Sequence, residues 1–461
     1  MFVGREQELK ELKDRFSNDK MEIISVLGRR RVGKSRLIFE ASKGFDGIVI
    51  AFECSDTSFH DNLLELNKII QESFHQPFLR FESLTDILTF LHQEAAHRKV
   101  LFILDEYPYM REGKSTDSQI KNAIDAINLL DTQNPLKFVV CGSAVDTMEM
   151  LDDADMPLHG RFNAVITLHP LDYLHSSLFY ENASYEDKIR YYAVFGGVPY
   201  FLKQIDPNRS FDENVISLFF AENGLLRGEL EIQIQGEINK IEHASFILNI
   251  LKNKSKSYSD IQQLFRSAFP GGKIDYALNK LIRMRIVEKY FVSQNNGVAK
   301  PYYRIVDNAV SFYYEFLLKP IVNRLLFSTS DYYEMFIKDR LYHEFIPHMF
   351  EQISYQFILL MNRARCLPFM LVDLFTYTIN DKATKSNYQF DIVGKTPDGL
   401  VNFECKFQND IIHVHDVYKE SRQAELASSD FVQTIFISKS AVEGNHLCYR
   451  LEDMFQPKLL K

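Results

Sequence analysis

Cysteine is scarce in this chain: Cys54, Cys141, Cys366, Cys405 and Cys448 are scattered and odd in number. None forms a C-x-x-C pair, so neither a disulfide framework nor a zinc ribbon is indicated, and a reduced, cytoplasmic protein is expected. Long apolar runs are missing too. No stretch approaches the roughly 18 apolar residues of a membrane span. The opening MFVGREQELK has no signal-peptide apolar region, so no membrane partner is expected. A general excess of basic charge is also lacking, since the net charge is −9. That excludes a chain that coats nucleic acid along its whole length. The charge is unevenly spread, however. Residues 240–304 hold twelve Lys/Arg against four Asp/Glu, the asymmetry that marks one module for nucleic acid. With 461 residues and 46% hydrophobic content, about two to four ordinary globular domains are expected.

What is present begins with Met21–Glu40, MEIISVLGRRRVGKSRLIFE. Met21–Leu27 is apolar and β-branched, as a buried parallel strand should be. Gly28, then Arg29-Arg30-Arg31-Val32, then Gly33-Lys34-Ser35 fit the phosphate-loop pattern G-x-x-x-x-G-K-[ST] without a gap. The glycines let successive backbone N–H groups turn inward on the phosphates. Lys34 adds a point charge for binding and catalysis, and the Ser35 hydroxyl is placed to ligate Mg²⁺. The helix from Arg36 onward turns its positive end toward the same phosphates. ATP and Mg²⁺ are therefore the expected cofactors.

Val100–Leu104 is a second apolar strand, ending in Asp105-Glu106. A carboxylate at that strand end reaches the Mg²⁺ shell and a second polarises the attacking water, so Asp105 is the expected metal residue and Glu106 the catalytic base. A further strand, Lys137–Cys141, ends in Gly142-Ser143. Ser143 is suited either to sense the γ-phosphate and its water or to cap a helix. Arg161, in the loop before the strand Ala164–Leu168, reads either as a finger on a neighbouring subunit's γ-phosphate or as a loop cation paired with a surface acid. Strand Ile48–Cys54 and helices Phe59–Phe74 and Leu84–His97 are expected between these motifs.

GRRRVGKSRL, the LDE strand end, CGSAV, the PLHGRF loop and YYAVFGGVPYFL at 191–202 together resemble the archaeal-type ATPase family, a P-loop branch near AAA+ and STAND proteins. The resemblance implies that the FVGRE box at 2–6, Val3 included, lies over the adenine. It also implies self-association through the ATPase domain, and a chain that continues into a winged helix and ends in a PD-(D/E)XK nuclease-like domain.

Residues 240–306 support the winged helix on their own pattern. Ala244–Leu251, Tyr258–Phe265 and Lys273–Arg283 read as amphipathic helices, and Ile286–Val292 and Pro301–Ile305 as strands split by Gln294-Asn295-Asn296-Gly297. The third helix is the one such a module lays in the major groove, with Lys273, Lys280, Arg283, Arg285 and Lys289 near it. The alternative is a rigid lid on the ATPase.

A long helix, Phe336–Asn362, opens the last part. Strand Leu371–Thr378, the polar turn Asn380–Asn387, Phe390–Val393 and Leu400–Lys406 come next. Period two sets Glu404 and Lys406 on one face with Cys405 pointing away. Asp391 with Glu404 then suits Mg²⁺, and Lys406 suits the positioning of water. Glu351 matches the helical acid of the resembled family. A helix at Tyr418–Leu426 carries Lys419 and Gln423 one turn apart.

The expected fold is α/β: a P-loop NTPase domain at 1–235, a winged helix at 236–318, a linker at 319–329 and a restriction-endonuclease-like domain at 330–461. The expected function is an ATPase that couples nucleotide state to DNA binding or Mg²⁺-dependent processing, with DNA held by the winged helix and the nuclease-like domain. The alternative is a non-cleaving switch or an oligomerising scaffold.

Overall fold

The computed structural model describes residues 2–460 except 131–133, 253, 294–299, 320–321, 382–385 and 445. The expected wing turn at 294–297, residues 320–321 of the expected linker and the middle of the turn 380–387 lie outside the described residues. The chain forms two compact units, Met1–Pro170 and Leu171–Lys461.

The first unit is an α/β layer structure on five parallel strands: β1 (Glu22–Gly28), β2 (Ile48–Glu53), β3 (Val100–Asp105), β4 (Leu136–Gly142) and β5 (Ala164–Leu168), in the order β2-β3-β4-β1-β5. The three central strands β1, β3 and β4 are buried on both faces, which explains their unbroken apolar runs. Ile23 and Leu27 of β1, with Phe102 of β3 and Phe138 of β4, enter one core; Ile24 and Val26, with Leu101 and Val139, enter the other. The alternation arises from the strand's two-residue period. Helices Phe59–Phe74 and Leu84–Glu94 cover the first face, capped at their starts by Ser58 and Ser83.

The second unit contains an eight-stranded mixed sheet. Its strands are β6 (Lys256–Ser257), β7 (Val287–Ser293), β8 (Lys300–Ile305), β9 (Asp373–Asp381), β10 (Ser386–Thr396), β11 (Gly399–Lys406), β12 (Phe431–Ser438) and β13 (Cys448–Arg450). The order is β13-β12-β11-β10-β9-β7-β8-β6. Helices Ala244–Leu251, Tyr258–Ala268 and Asp275–Arg283 precede the β7–β8 hairpin. That hairpin does not stand alone: β7 pairs in parallel with β9, Val292 opposite Thr376.

The compact boundary falls at Pro170/Leu171 rather than after residue 235, for a packing reason. Phe219 meets the ring of Phe312 at 5.1 Å, and Phe220 meets Tyr333 at 5.8 Å. Tyr333 also donates to Asp212 at 2.6 Å. Fully burying such side chains is worth roughly 1.5–3 kcal/mol each. Residues 171–235 are therefore tied to the later part of the chain. Within this core the 191–202 box makes a close backbone crossing: a Cβ on Gly197 would lie 1.8 Å from the Leu171 carbonyl oxygen.

The expected single helix at 336–362 is broken into Thr329–Phe336, Lys338–Arg340, a π turn at Leu341–Phe345 and Ile346–Arg363. Pro347 explains the π turn, since it lacks an N–H and its ring crowds the carbonyl four residues back. No helix among the described residues is long and apolar enough to cross a membrane.

Candidate functional site

The phosphate loop sits where β1 hands over to the helix Lys34–Ser42. Gly33 caps that helix at φ 103°, a conformation a side chain would strain, and Arg31 lies at φ 66°. Lys34 is 5% exposed, and its Nζ donates to the carbonyls of Gly28 (2.9 Å) and Arg29 (3.2 Å), so the ammonium is folded into the loop's own cradle. Val32 is buried, while Ser35 and Arg36 are exposed at the helix start. Arg36 reaches Glu40 at 2.5 Å. Arg30 is exposed, and Arg29 is buried.

The strand order places β4 between β1 and β3, so the tip of β4 lies between the phosphate loop and the Asp105-Glu106 corner. Glu106 takes φ 50°, a costly left-handed conformation for a non-glycine residue. Its Oε2 accepts from both the Ser143 N–H (2.9 Å) and the Ser143 hydroxyl (2.8 Å). Asp105 Oδ1 accepts from the Glu106 N–H at 2.9 Å. Of the two readings of Ser143, helix capping does not hold: the helix Val145–Met150 is capped by Ala144 without a side-chain bond. The Ser35 hydroxyl and the Asp105 carboxylate are hard oxygen donors of the kind Mg²⁺ takes.

Arg161 is held by an acid of its own unit. It pairs with Asp125 at 2.8 Å, and this bond is the largest cause holding the Asp125 carboxyl below its usual range. Val3 is half-buried in the segment before the first helix. The residue that ties this segment to the loop is Arg5, to which the sequence pattern assigns no role within the FVGRE box. It donates to the Val32 carbonyl at 3.4 Å and to the His169 carbonyl, and pairs with Glu8 at 3.2 Å. A basic residue one position past the glycine of that box was the available signal.

In the second unit the expected acid constellation divides. Cys405 joins the core formed with Phe403 and the helix Ile346–Arg363, whereas Lys406 pairs with Glu404 at 2.6 Å and with Glu420 of the helix Val414–Ala427 at 3.5 Å. Glu404 and Lys406 thus share one face, as the strand period requires. Glu351 and Asp391 line a cleft of about 250 Å³, together with Lys254, Tyr290, Arg304 and Tyr355. The two groups remain electrostatically linked. Burial, then Glu351, then Glu404 push the Asp391 carboxyl up to about 8, and burial likewise raises Glu404. Burial opposes the Lys406 ammonium, yet Glu404 and Glu420 hold its pKa above the ordinary lysine value.

Among the described residues no three His, Cys, Asp or Glu side chains converge to hold a metal ion. The expected set of Glu351, Asp391 and Glu404 thus does not close as a three-ligand cluster: Lys406 takes up a Glu404 oxygen and Glu351 lies 3.6 Å from His348, while Asp391 feels the charge of both other acids. Glu420 is the site residue that sequence reasoning missed. Its neighbour Lys419 is exposed, whereas Glu420 points toward the sheet.

Residues 2–205 match the family model described as an ATPase domain predominantly from Archaea, and this segment is an archaeal-type P-loop ATPase domain. An uncharacterized protein of Methanocaldococcus jannaschii is 24% identical over 380 residues, 81% of each chain. Among solved structures, a Walker-type ATPase of Pyrococcus abyssi is 19% identical, with a TM-score of 0.49 over 68% of this chain and 96% of that one. The Aeropyrum pernix ORC2 protein in its ADPNP–ADP complexes is 15% identical, with a TM-score of 0.44 over 67% of this chain and 92% of that one.

Proposed function

We propose that this chain, whose residues 2–205 form an archaeal-type P-loop ATPase domain, hydrolyses ATP with Mg²⁺ and couples the nucleotide state to DNA handling by residues 236–461. In the ATPase site, the loop amides and Lys34 hold the phosphates. Ser35 and Asp105 would hold the magnesium ion. Glu106, steered by Ser143, takes the proton of the attacking water.

The DNA-handling part is read as a winged helix at 236–318 and a PD-(D/E)XK nuclease-like domain at 330–461. The three helices and the β7–β8 hairpin after them support the first. Lys273, Arg283, Arg285 and Lys289 are exposed on that module and supply a basic face. The observation that carries the nuclease reading is the placement of Asp391 in a cleft with Glu351, on the strand paired with the one that bears Glu404 and Lys406, where burial and the neighbouring acids push its carboxyl up to about 8. Such a strained acid group in a cleft is more typical of a working site than of a stabilising one. Asp391 and Glu404 would hold a divalent cation, which supplies positive charge to the phosphate when bound. Lys406 orients water on the Glu404 side. A cytoplasmic location accords with the reduced cysteines.

Nicking of supercoiled plasmid with Mg²⁺ or Mn²⁺ tests the reading. The parent is expected to nick, while Asp391→Ala and Lys406→Ala lose cleavage and keep ATP hydrolysis. A second reading, a non-cleaving switch, is favoured by the double ion pair on Lys406 and the unconverged acids. A parent protein that cuts neither supercoiled, linear nor single-stranded DNA with either metal would replace the first reading with it.

A further inference from the structure

The cleft that holds Asp391 is built from both halves of the second unit. Strands β8, β7, β9 and β10 are consecutive neighbours in the sheet, and they contribute Arg304, Tyr290, Thr376 and Asp391 in that order. The register supports a shared face, since Glu288 pairs with Arg304 and Tyr290 with Tyr302, two residues apart on each strand. Opposite them, Glu351 and Tyr355 of the helix Ile346–Arg363 stand four residues apart, one turn of the same helix face. Because the β7–β8 hairpin is stitched to β9, the wall and the floor of the cleft belong to one sheet.

Its chemistry is graded. The acids Glu351 and Asp391 stand at the β10 end. At the hairpin end, the Arg304 guanidinium lies 4.8 Å from the Tyr290 ring centre and 5.7 Å from that of Tyr355, with its charge partly met by Glu288 at 2.9 Å. Lys254 is exposed at the same rim. Aromatic faces, a stacked guanidinium and a rim ammonium are what a sugar-phosphate chain with unpaired bases requires. A duplex offers no free base faces, and a cleft of about 250 Å³ has room for about one nucleotide.

We propose that this cleft binds single-stranded nucleic acid, with a base against Tyr290 and Tyr355, a phosphate at Lys254 and Arg304, and the chain directed toward Asp391. The proposal rests on the reading of Asp391 as part of a nuclease-like site and names the substrate class of that site. It also changes the part played by the β7–β8 hairpin, which becomes a wall of the cleft instead of a wing projecting into a duplex groove.

The test is fluorescence anisotropy of the full chain with labelled oligothymidylate and with a duplex of equal length, in calcium. Single strand is expected to bind at least about tenfold tighter than duplex, since stacking adds to phosphate contact only for unpaired bases. Lys254→Glu should flatten the salt slope of single-strand binding by about one unit. Tyr355→Leu should weaken single-strand binding roughly tenfold without changing that slope, and Tyr355→Phe should restore it. All three variants should hydrolyse ATP at the parent rate. Equal affinity for duplex and single strand would overturn the proposal, as would parent-like binding by both Lys254→Glu and Tyr355→Leu. Tight single-strand binding by a parent that cleaves nothing would support the cleft assignment and remove only the cleavage reading.

Discussion

The two acid sites of this protein are built in opposite ways. At the ATPase site the catalytic acid and the loop lysine are each met by donors or acceptors close at hand. Glu106 is held by two bonds from Ser143, and Lys34 by two loop carbonyls. In the second unit, the charges of Glu351 and Glu404 crowd a largely buried Asp391, whose carboxyl is pushed up to about 8. The first arrangement is prepared for a ligand that brings its own negative charge. The second is under electrostatic stress that a cation or a proton relieves. A site satisfied by neutral partners can be rigid without its ligand, whereas a cluster of like charges must trade stability against readiness.

The largest effects should come from breaking the satisfied site. Lys34→Ala is expected to lower ATP hydrolysis by about 10²–10³-fold and to abolish nucleotide binding, since a phosphate charge loses its cation. Glu106→Gln should lose about 10²–10⁴-fold in turnover while still binding ATP, because only proton abstraction is removed. Parent-rate hydrolysis in both variants would dissolve the contrast.

The stressed site predicts a pH dependence of the opposite character. Folded Asp391 keeps a proton that the unfolded chain releases near 3.8, so its contribution favours the fold at low pH. That contribution is lost as pH rises toward about 8. The raised Glu404 adds to the same trend. Asp391→Asn should therefore flatten the fall in urea midpoint between about pH 5 and pH 8, with a gain on the order of 1–3 kcal/mol at the upper end. A parent midpoint that is level across this window would show the cluster to be relaxed.

The smallest effect concerns Arg161. As a half-exposed pair with Asp125, its loss through Arg161→Ala should cost about 0.2–1 kcal/mol of stability and leave hydrolysis unchanged. Loss of hydrolysis that grows with protein concentration would instead make Arg161 part of a neighbour's site.

Legibility tracked the distance in sequence over which each site is assembled. The phosphate loop lies within Gly28–Ser35, and its geometry obeys local rules of strand, turn and helix start. The same holds for the helix Phe59–Phe74 and the strand Ala164–Leu168, whose ends agree with the sequence pattern. Ser143 was legible as a residue but not in its role, because its bond to Glu106 depends on which strand lies beside which. Glu420 lacked even that much signal: its partner Lys406 sits in a different element, and the residue type alone fits a solvated helix face.

By itself, then, the amino-acid order determined the α/β character, the ATPase loop, the acidic strand end and the two-residue alternation that pairs Glu404 with Lys406. Those depend on backbone periods of two and 3.6 residues and on turn stereochemistry, all of which act over a few positions. Tertiary structure alone decided that the compact boundary falls at Pro170/Leu171, that β7 joins β9, and that Lys406 pairs with Glu420 as well as with Glu404. These are choices among pairings of distant segments, made by which apolar faces bury one another, and no local pattern carries that information.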